Sequence, residues 1–239
     1  MRWPYPLTEA VLLSRYKRFL ADVRLASGDT LTVHCPNSGR MLSCSEPGRP
    51  VLISDSGNPK RKLRFTLEAI RMGRTWVGVN TANPNRAVAG FVGRGRIPEL
   101  AGYETLRREV PYGESRRSRI DLLLDAPGRR PCYVEVKNNT YRTEGPGGDR
   151  YAAFPDAVTE RGRKHLVDLA GRVAEGERAV LFYFIGRADC RRVRPADEID
   201  PRYGETLREV AARGVELLAY RMRFNRRGIH LVDRIPVEL

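Results

Sequence analysis

Three side chains in the middle of the chain, Asp121, Glu135 and Lys137, have the types and spacing that metal-assisted phosphate chemistry uses. Two carboxylates supply hard oxygen ligands for a divalent cation, and an ammonium beside them can orient water against a phosphate. The residues around them are apolar. SRIDLLL at 118–124 and CYVEVK at 132–137 each read as a short, largely apolar strand, and residues 125–131, with Pro127-Gly128, read as the turn between them. Alternation along the second strand sends Glu135 and Lys137 to one face and Val134 and Val136 to the other. If the strands pair as a hairpin, Asp121 stands beside the other two. Charges grouped on an apolar sheet are costly to desolvate, so they require a metal, a mutual pairing or a wet cleft.

Asp-x(n)-Glu-x-Lys on adjacent strands is the arrangement of the PD-(D/E)xK nucleases, and it makes Mg2+ or Mn2+ the expected cofactor, held by Asp121 and Glu135. Glu109, on the preceding strand, is a further catalytic acid candidate. The alternative is a pair of solvated edge strands, with Lys137 in a surface ion pair worth little. The order strand, turn, strand and then basic helix matches the nuclease core.

Composition narrows the partners. The 239 residues carry 43 Lys and Arg against 29 Asp and Glu, a net charge of +14. Such an excess points to nucleic acid, with DNA expected first and RNA second. No run approaches the ~20 apolar residues of a membrane helix and no signal peptide is evident, so no membrane partner and a cytoplasmic location are expected. Cys35, Cys44, Cys132 and Cys190 are scattered without metal-ligand spacing and read as reduced, mostly buried thiols.

The elements fall into two groups, giving an α/β (α+β overall) chain with a boundary expected between residues 82 and 83. Residues 1–82 are β-rich. A run at 10–25, whose first half also passes as a helix, is followed by strands at 30–35, 50–54, 64–72 and 75–80. Five short strands with Gly- and Pro-containing turns suit an OB-like nucleic-acid-binding β-barrel. Residues 1–80 hold 13 Lys and Arg against 6 Asp and Glu, about twice the charge density of the rest. Arg15, Lys17 and Arg18 interleave with Tyr16 and Phe19, and Lys60, Arg61 and Lys62 precede Phe65. These cations are nucleic-acid-binding candidates, and solvated cations beside core aromatics are the alternative. In HCPNSGRM at 34–41, Asn37, Ser38 and the Gly39 backbone can form an anion nest with Arg40 as its charge, or simply a tight turn.

Residues 83–239 change pattern. A short helix is expected at 85–93, a strand at 105–111, the hairpin, and then a flexible Gly-rich connection at 138–151. A helix at 156–175 carries Arg161 and Lys164 on its polar face, both candidates for phosphate. A buried strand at 179–186, a helix at 201–213 and a last strand at 215–221 follow. This alternation implies parallel pairing, a mixed sheet flanked by helices.

RYKRFLADV, HCPNSGRM, SRIDLLL, CYVEVKNNT, FPDAVTERGRKHL and RGVELLAY resemble the sugar fermentation stimulation protein family across essentially the whole chain. The resemblance implies an N-terminal OB-like domain, a C-terminal PD-(D/E)xK-type domain and DNA binding of low sequence specificity, with a regulatory role in sugar metabolism. It also places Asp121 and Glu135 on the metal carboxylates and Lys137 on the motif lysine. The upstream helical glutamate of such nucleases has no counterpart, because residues 85–93 contain no acid. A Mg2+-dependent nuclease hydrolysing nucleic-acid phosphodiesters is the alternative function, and an enzyme acting on a small anion is a third.

Overall fold

The computed structural model describes residues 1–112 and 118–239. The chain begins with β1 (Leu7–Tyr16), β2 (Leu20–Arg24), β3 (Thr30–His34), β4 (Pro50–Asp55), β5 (Phe65–Met72) and β6 (Thr75–Gly78). They form one six-stranded sheet in the order β3-β2-β1-β4-β5-β6, which a β3–β5 pairing at His34–Thr66 curls into a barrel. Residues 10–25, expected as a single run of ambiguous type, are instead the β1–β2 hairpin. Lys17 and Arg18 reverse the chain with φ of 48° and 63°. Period-two burial decides it: Ala10, Leu12, Ala21 and Val23 face Val33, Val51, Ile53, Leu67 and Val77 in the barrel core.

The second half contains α1 (Asn83–Val92), β7 (Thr105–Tyr112), β8 (Ser118–Asp125), β9 (Cys132–Asn139), β10 (Arg142–Glu144) and β11 (Arg150–Phe154). It continues with α2 (Glu160–Ala174), β12 (Arg178–Ile185), β13 (Arg192–Pro195), α3 (Pro201–Ala212), β14 (Glu216–Asn225) and β15 (Gly228–Arg234). The main sheet runs β15-β14-β12-β9-β8-β7, with β9, β12 and β14 parallel. Residues 138–151, expected to be a flexible connection, are structured. They supply β10, which pairs with β11, and β11 pairs with β13 in a small separate sheet. The chain also continues past its expected last strand into β15.

The main sheet is apolar on both faces. Leu122, Leu124, Val134, Phe182 and Phe184 pack with α1, while Leu123, Leu181, Tyr183 and Ile185 pack with α2 and α3. Side-chain caps start the last two helices: Thr159 accepts from Gly162 N at 3.0 Å, and Asp200 accepts from Tyr203 N at 3.1 Å. No helix among the described residues is long and apolar enough to cross a membrane. All four cysteines are buried free thiols.

The two halves are tightly joined. Gly78 N donates to Gly186 O at 2.8 Å, and a Cβ on Gly78 would fall 2.1 Å from the Phe224 ring. Arg187, 1% exposed, donates to Ser43 Oγ and Thr140 O, both at 3.0 Å, and pairs with Asp189.

Candidate active site

The main sheet opens at Asp121. Pairing between β8 and β9 covers Leu122–Val134, Leu123–Tyr133 and Leu124–Cys132 and goes no further toward Asp121. On the other side of β8 the β7 register skips the Glu109–Asp121 pair, where Glu109 takes a φ of 52°. A non-glycine residue in that region marks a locally constrained backbone of the kind that gathers at functional sites. The Asp121 carboxylate fills the gap: Oδ2 accepts from Val136 N at 2.6 Å, and Oδ1 accepts from Asn85 Nδ2 at 2.5 Å.

Glu135 is the more enclosed acid, 3% exposed, and it faces α2. Lys137 Nζ donates to Glu135 Oε1 at 2.8 Å, and His165 Nδ1 reaches the same oxygen. Arg161 Nε–H donates to His165 Nε2 at 3.3 Å, which leaves the ring proton on Nδ1, directed at Glu135. Lys137 Nζ and His165 Nδ1, 3.3 Å apart, are therefore two donors converging on one acceptor. Glu135 Oε2, by contrast, is buried and finds no partner among the described residues.

The two acids titrate in opposite directions. Burial, and then the neighbouring charge of Glu135, pushes the Asp121 carboxyl up to about 7. Burial acts against the Glu135 carboxylate as well, but the hydrogen bond from His165 and the charge of Lys137 outweigh it and hold this carboxyl below its usual range. Burial, and then Glu135, raises the Tyr112 hydroxyl.

A cavity of about 660 Å3 exposes this group. Asp121, Glu135, Lys137 and His165 line it with Phe154, the exposed Glu109 stands on its wall, and Arg119, Arg161 and Lys164 bring positive charge to it. Lys164 also bonds Ser118 Oγ at 2.5 Å and Asp168 at 2.9 Å. The residues fit a hard divalent cation. A buried carboxylate oxygen lacks a partner, a second carboxylate is disfavoured in its charged form by the first, and both are relieved by a cation between them. No cluster of three or more His, Cys, Asp or Glu groups suited to a metal occurs among the described residues. Asp121 and Glu135 are thus the two carboxylates available to such an ion, and water and phosphate would have to complete its shell.

The remaining candidates lie elsewhere. Lys17 and Arg18 sit exposed at the β1–β2 tip beside Phe19, which is 52% exposed, and Lys60, Arg61 and Lys62 sit on the exposed β4–β5 loop. Arg15 points inward and donates to Asn37 O at 2.7 Å and Gly39 O at 2.8 Å, so it holds a loop together instead of presenting its guanidinium outward. That loop receives an anion from the protein itself. Met41 N donates to Asp156 Oδ2 at 3.1 Å, and the Asp156 carboxylate lies against Gly39, leaving Arg40 exposed outside. Asp156, expected as the first residue of the helix, lies ahead of α2, which Thr159 caps.

Asn85 and His165 escaped sequence reasoning. A search of the first helix for an acid passes over an amide, although Asn85 stands against Asp121. His165 had a usable signal, since it lies four residues after Arg161 and so shares its helix face.

A barrel of OB type joined to a mixed sheet opened at a Glu-x-Lys strand defines the class. The match to family models is specific: residues 13–79 match the SfsA N-terminal OB domain, and residues 82–228 match the sugar fermentation stimulation protein RE domain. The chain belongs to the sugar fermentation stimulation protein family. A homolog from Acidithiobacillus ferrooxidans is 54% identical over 232 residues, 97% of each chain. One from Geobacter metallireducens is 52% identical over 240 residues, the full length of both. The solved structure of Pyrococcus furiosus SfsA in complex with Ca2+ is 25% identical, with a TM-score of 0.88 over 100% of this chain and 98% of that one.

Proposed function

We propose that the protein binds DNA with little sequence preference and hydrolyses its phosphodiesters at the Asp121–Glu135–Lys137 cavity with Mg2+ or Mn2+. The observation that carries this reading is the orphaned, buried Glu135 Oε2 beside a lysine and a second carboxylate, in a cavity with cationic walls. The Ca2+ in the Pyrococcus furiosus relative adds support, since Ca2+ takes the same hard oxygen ligands.

Asp121 and Glu135 would hold the ion. When bound, it would polarise a phosphoryl oxygen and lower the pKa of a coordinated water. Asn85 and Val136 N fix the Asp121 carboxylate, and His165 fixes Glu135. Lys137 keeps two of its three N–H donors free after bonding Glu135, and they orient the attacking water against the phosphate. Arg119 and Arg161 hold flanking phosphates, and Lys164, paired with Asp168, adds only a screened charge.

A second reading, DNA binding without chemistry and with a regulatory outcome in sugar metabolism, is favoured by the Asp121 carboxyl near 7, which leaves it partly protonated at neutral pH. End-labelled duplex, single-stranded and branched DNA, with RNA alongside, separate the two. Cleavage that needs Mg2+ or Mn2+ and disappears in Asp121→Asn and Lys137→Met establishes the nuclease. Salt-sensitive binding with no cleavage of any substrate establishes the second reading.

A further inference from the structure

A second cleft, of about 230 Å3, lies where β4 and β5 of the barrel meet α1 and β7. Ser54, Thr66 and Glu68 line it from the barrel strands, Arg61 from the β4–β5 loop, Arg86 from α1 and Arg108 from β7. Three arginines from three separate segments thus converge on one cleft. None of them makes an ion pair among the described residues, whereas arginines at other junctions face carboxylates, as Arg163 does Asp200 and Arg178 does Glu216.

Glu68, the acid of the lining, is 6% exposed and its carboxylate is already occupied. Oε1 accepts from Ser54 Oγ at 2.7 Å, and Oε2 accepts from Asn80 and Asn83 Nδ2 at 2.9 and 2.8 Å. Arg86 is half-buried and donates to the neutral Asn83 amide at 2.8 Å. Three guanidinium charges against one carboxylate leave the cleft with an excess of two positive charges. Thr66, 8% exposed, adds a hydroxyl that makes no hydrogen bond among the described residues. Like charges held together repel, and partial burial raises that cost, so the arrangement is complementary to an anion. Arginine forks take phosphate oxygens in pairs, and a hydroxyl can donate to another. Arg61 and Arg108 are exposed, so the cleft is open to an anion from solvent.

The cleft adjoins the candidate active site through consecutive residues. Asn85 bonds Asp121 while Arg86 lines the cleft, and Glu109 lines the first cavity while Arg108 lines the cleft. β7 is the edge strand of the main sheet, so a run of phosphates can cross that edge from one cavity to the other. We propose that the cleft is a phosphate subsite, in which Arg61, Arg86 and Arg108 hold a phosphate of a DNA strand whose nearby linkage lies at Asp121. The proposal rests on the DNA-binding reading and adds the direction in which the strand leaves the site, over β7 toward the barrel. Contacts of this kind fix the register of a strand and carry no sequence information.

The test uses the full chain carrying Asp121→Asn to keep DNA intact. Single-stranded oligonucleotides have one phosphate at a time replaced by a neutral methylphosphonate, with terminal phosphates present or absent. Neutralising one position should weaken binding several-fold, and the same change should cost nothing further in Arg61→Ala/Arg108→Ala, which has already lost the contact. A control without the exposed Arg202 and Arg213 at the ends of α3 should keep the full several-fold loss. Both cleft arginines replaced are exposed, melting curves check that the double variant folds, and Arg61→Gln alone repeats the cycle if it does not. Coupling at an internal position identifies a backbone phosphate, coupling only at an end identifies a terminal one, and either supports the subsite. A loss that is equal at every position, or that persists in the double variant, overturns the subsite and leaves the proposed function standing. If no oligonucleotide binds at low salt, the DNA reading fails and the subsite falls with it.

Discussion

At the scale of single residues, Asp121 and Glu135 show how one cavity sets two carboxyls apart. Glu135 is given two donors and stays charged, while Asp121 is left beside that charge and is pushed up to about 7. An acid whose folded pKa exceeds its unfolded value binds more protons when folded. Its stabilising contribution is therefore present below the unfolded value, near 4, and is lost as pH rises through about 7. In metal-free protein, thermal melts should fall across that window by an amount on the order of 3–4 kcal/mol, and Asp121→Asn should flatten the dependence. Mg2+ added at pH 7 to about 100 times its Kd should restore about 2.7 kcal/mol in the wild type and little in the variant. An unchanged pH profile in Asp121→Asn would put the titration elsewhere. His165 acts through Glu135. His165→Ala should cut metal-dependent cleavage by about 10- to 100-fold and raise the Mg2+ concentration for half-activity, the cost of losing a group that orients a ligand. A loss of kcat with no change in metal dependence would remove that role.

At the scale of elements, the structure shows what a sequence displays and what it hides. Alternation placed Glu135 and Lys137 on one face and Val134 and Val136 on the other, because a strand buried on both sides leaves no other arrangement. The parallel β9, β12 and β14 followed from strand–helix–strand order. Residues 138–151 read as loop because Gly145, Gly147 and Gly148 dominate locally, while β10 is held by β11, and β11 in turn by β13, some forty residues later. Loss of pairing at Asp121 and the reach of Asn85 from α1 are likewise tertiary facts with no local mark. The contact between HCPNSGRM and Asp156 is of the same kind, and its energetics can be read out. A Cβ on Gly39 would lie 2.7 Å from Asp156 Oδ2 and 3.0 Å from Asn37 Oδ1. Gly39→Ala should therefore destabilise by about 1–3 kcal/mol in urea denaturation, and Asp156→Ala by a similar amount through the lost bond to Met41 N. In the double variant the obstructing carboxylate is gone, so the two costs should sum to less than their separate values. Strict additivity would mean that the loop does not depend on that carboxylate.

At the scale of the whole molecule, the proposed association with DNA would draw on the net charge of +14, with cations not already engaged contributing most. Many arginines of the second half are committed. Arg192 pairs with Glu238 and Asp149, Arg194 with Glu198, and Arg221 with Asp233. Lys17, Arg18 and Lys60 make no ion pair among the described residues, and the first two flank an exposed Phe19. Arg15 is excluded from this set because its guanidinium holds the 37–39 backbone, so removing it would confuse folding with binding. Counterion release makes log K fall linearly with log salt, with a slope near −0.9 per phosphate neutralised on a duplex. Reversing Lys17, Arg18 and Lys60 to Glu should weaken binding of unrelated duplexes uniformly and make the slope shallower by up to about 3. Reversing Arg192 and Arg194 should alter the slope by less than about 1, because their partners already neutralise them. Filter binding or fluorescence anisotropy from 50 to 300 mM salt, close to the range over which such slopes are resolved, reads both. Equal changes in the two variants would spread the footprint over the surface and remove the barrel's exposed tips as its centre. A larger change in the second would move the footprint from the barrel's tips to the small β10-β11-β13 sheet that carries Arg192 and Arg194.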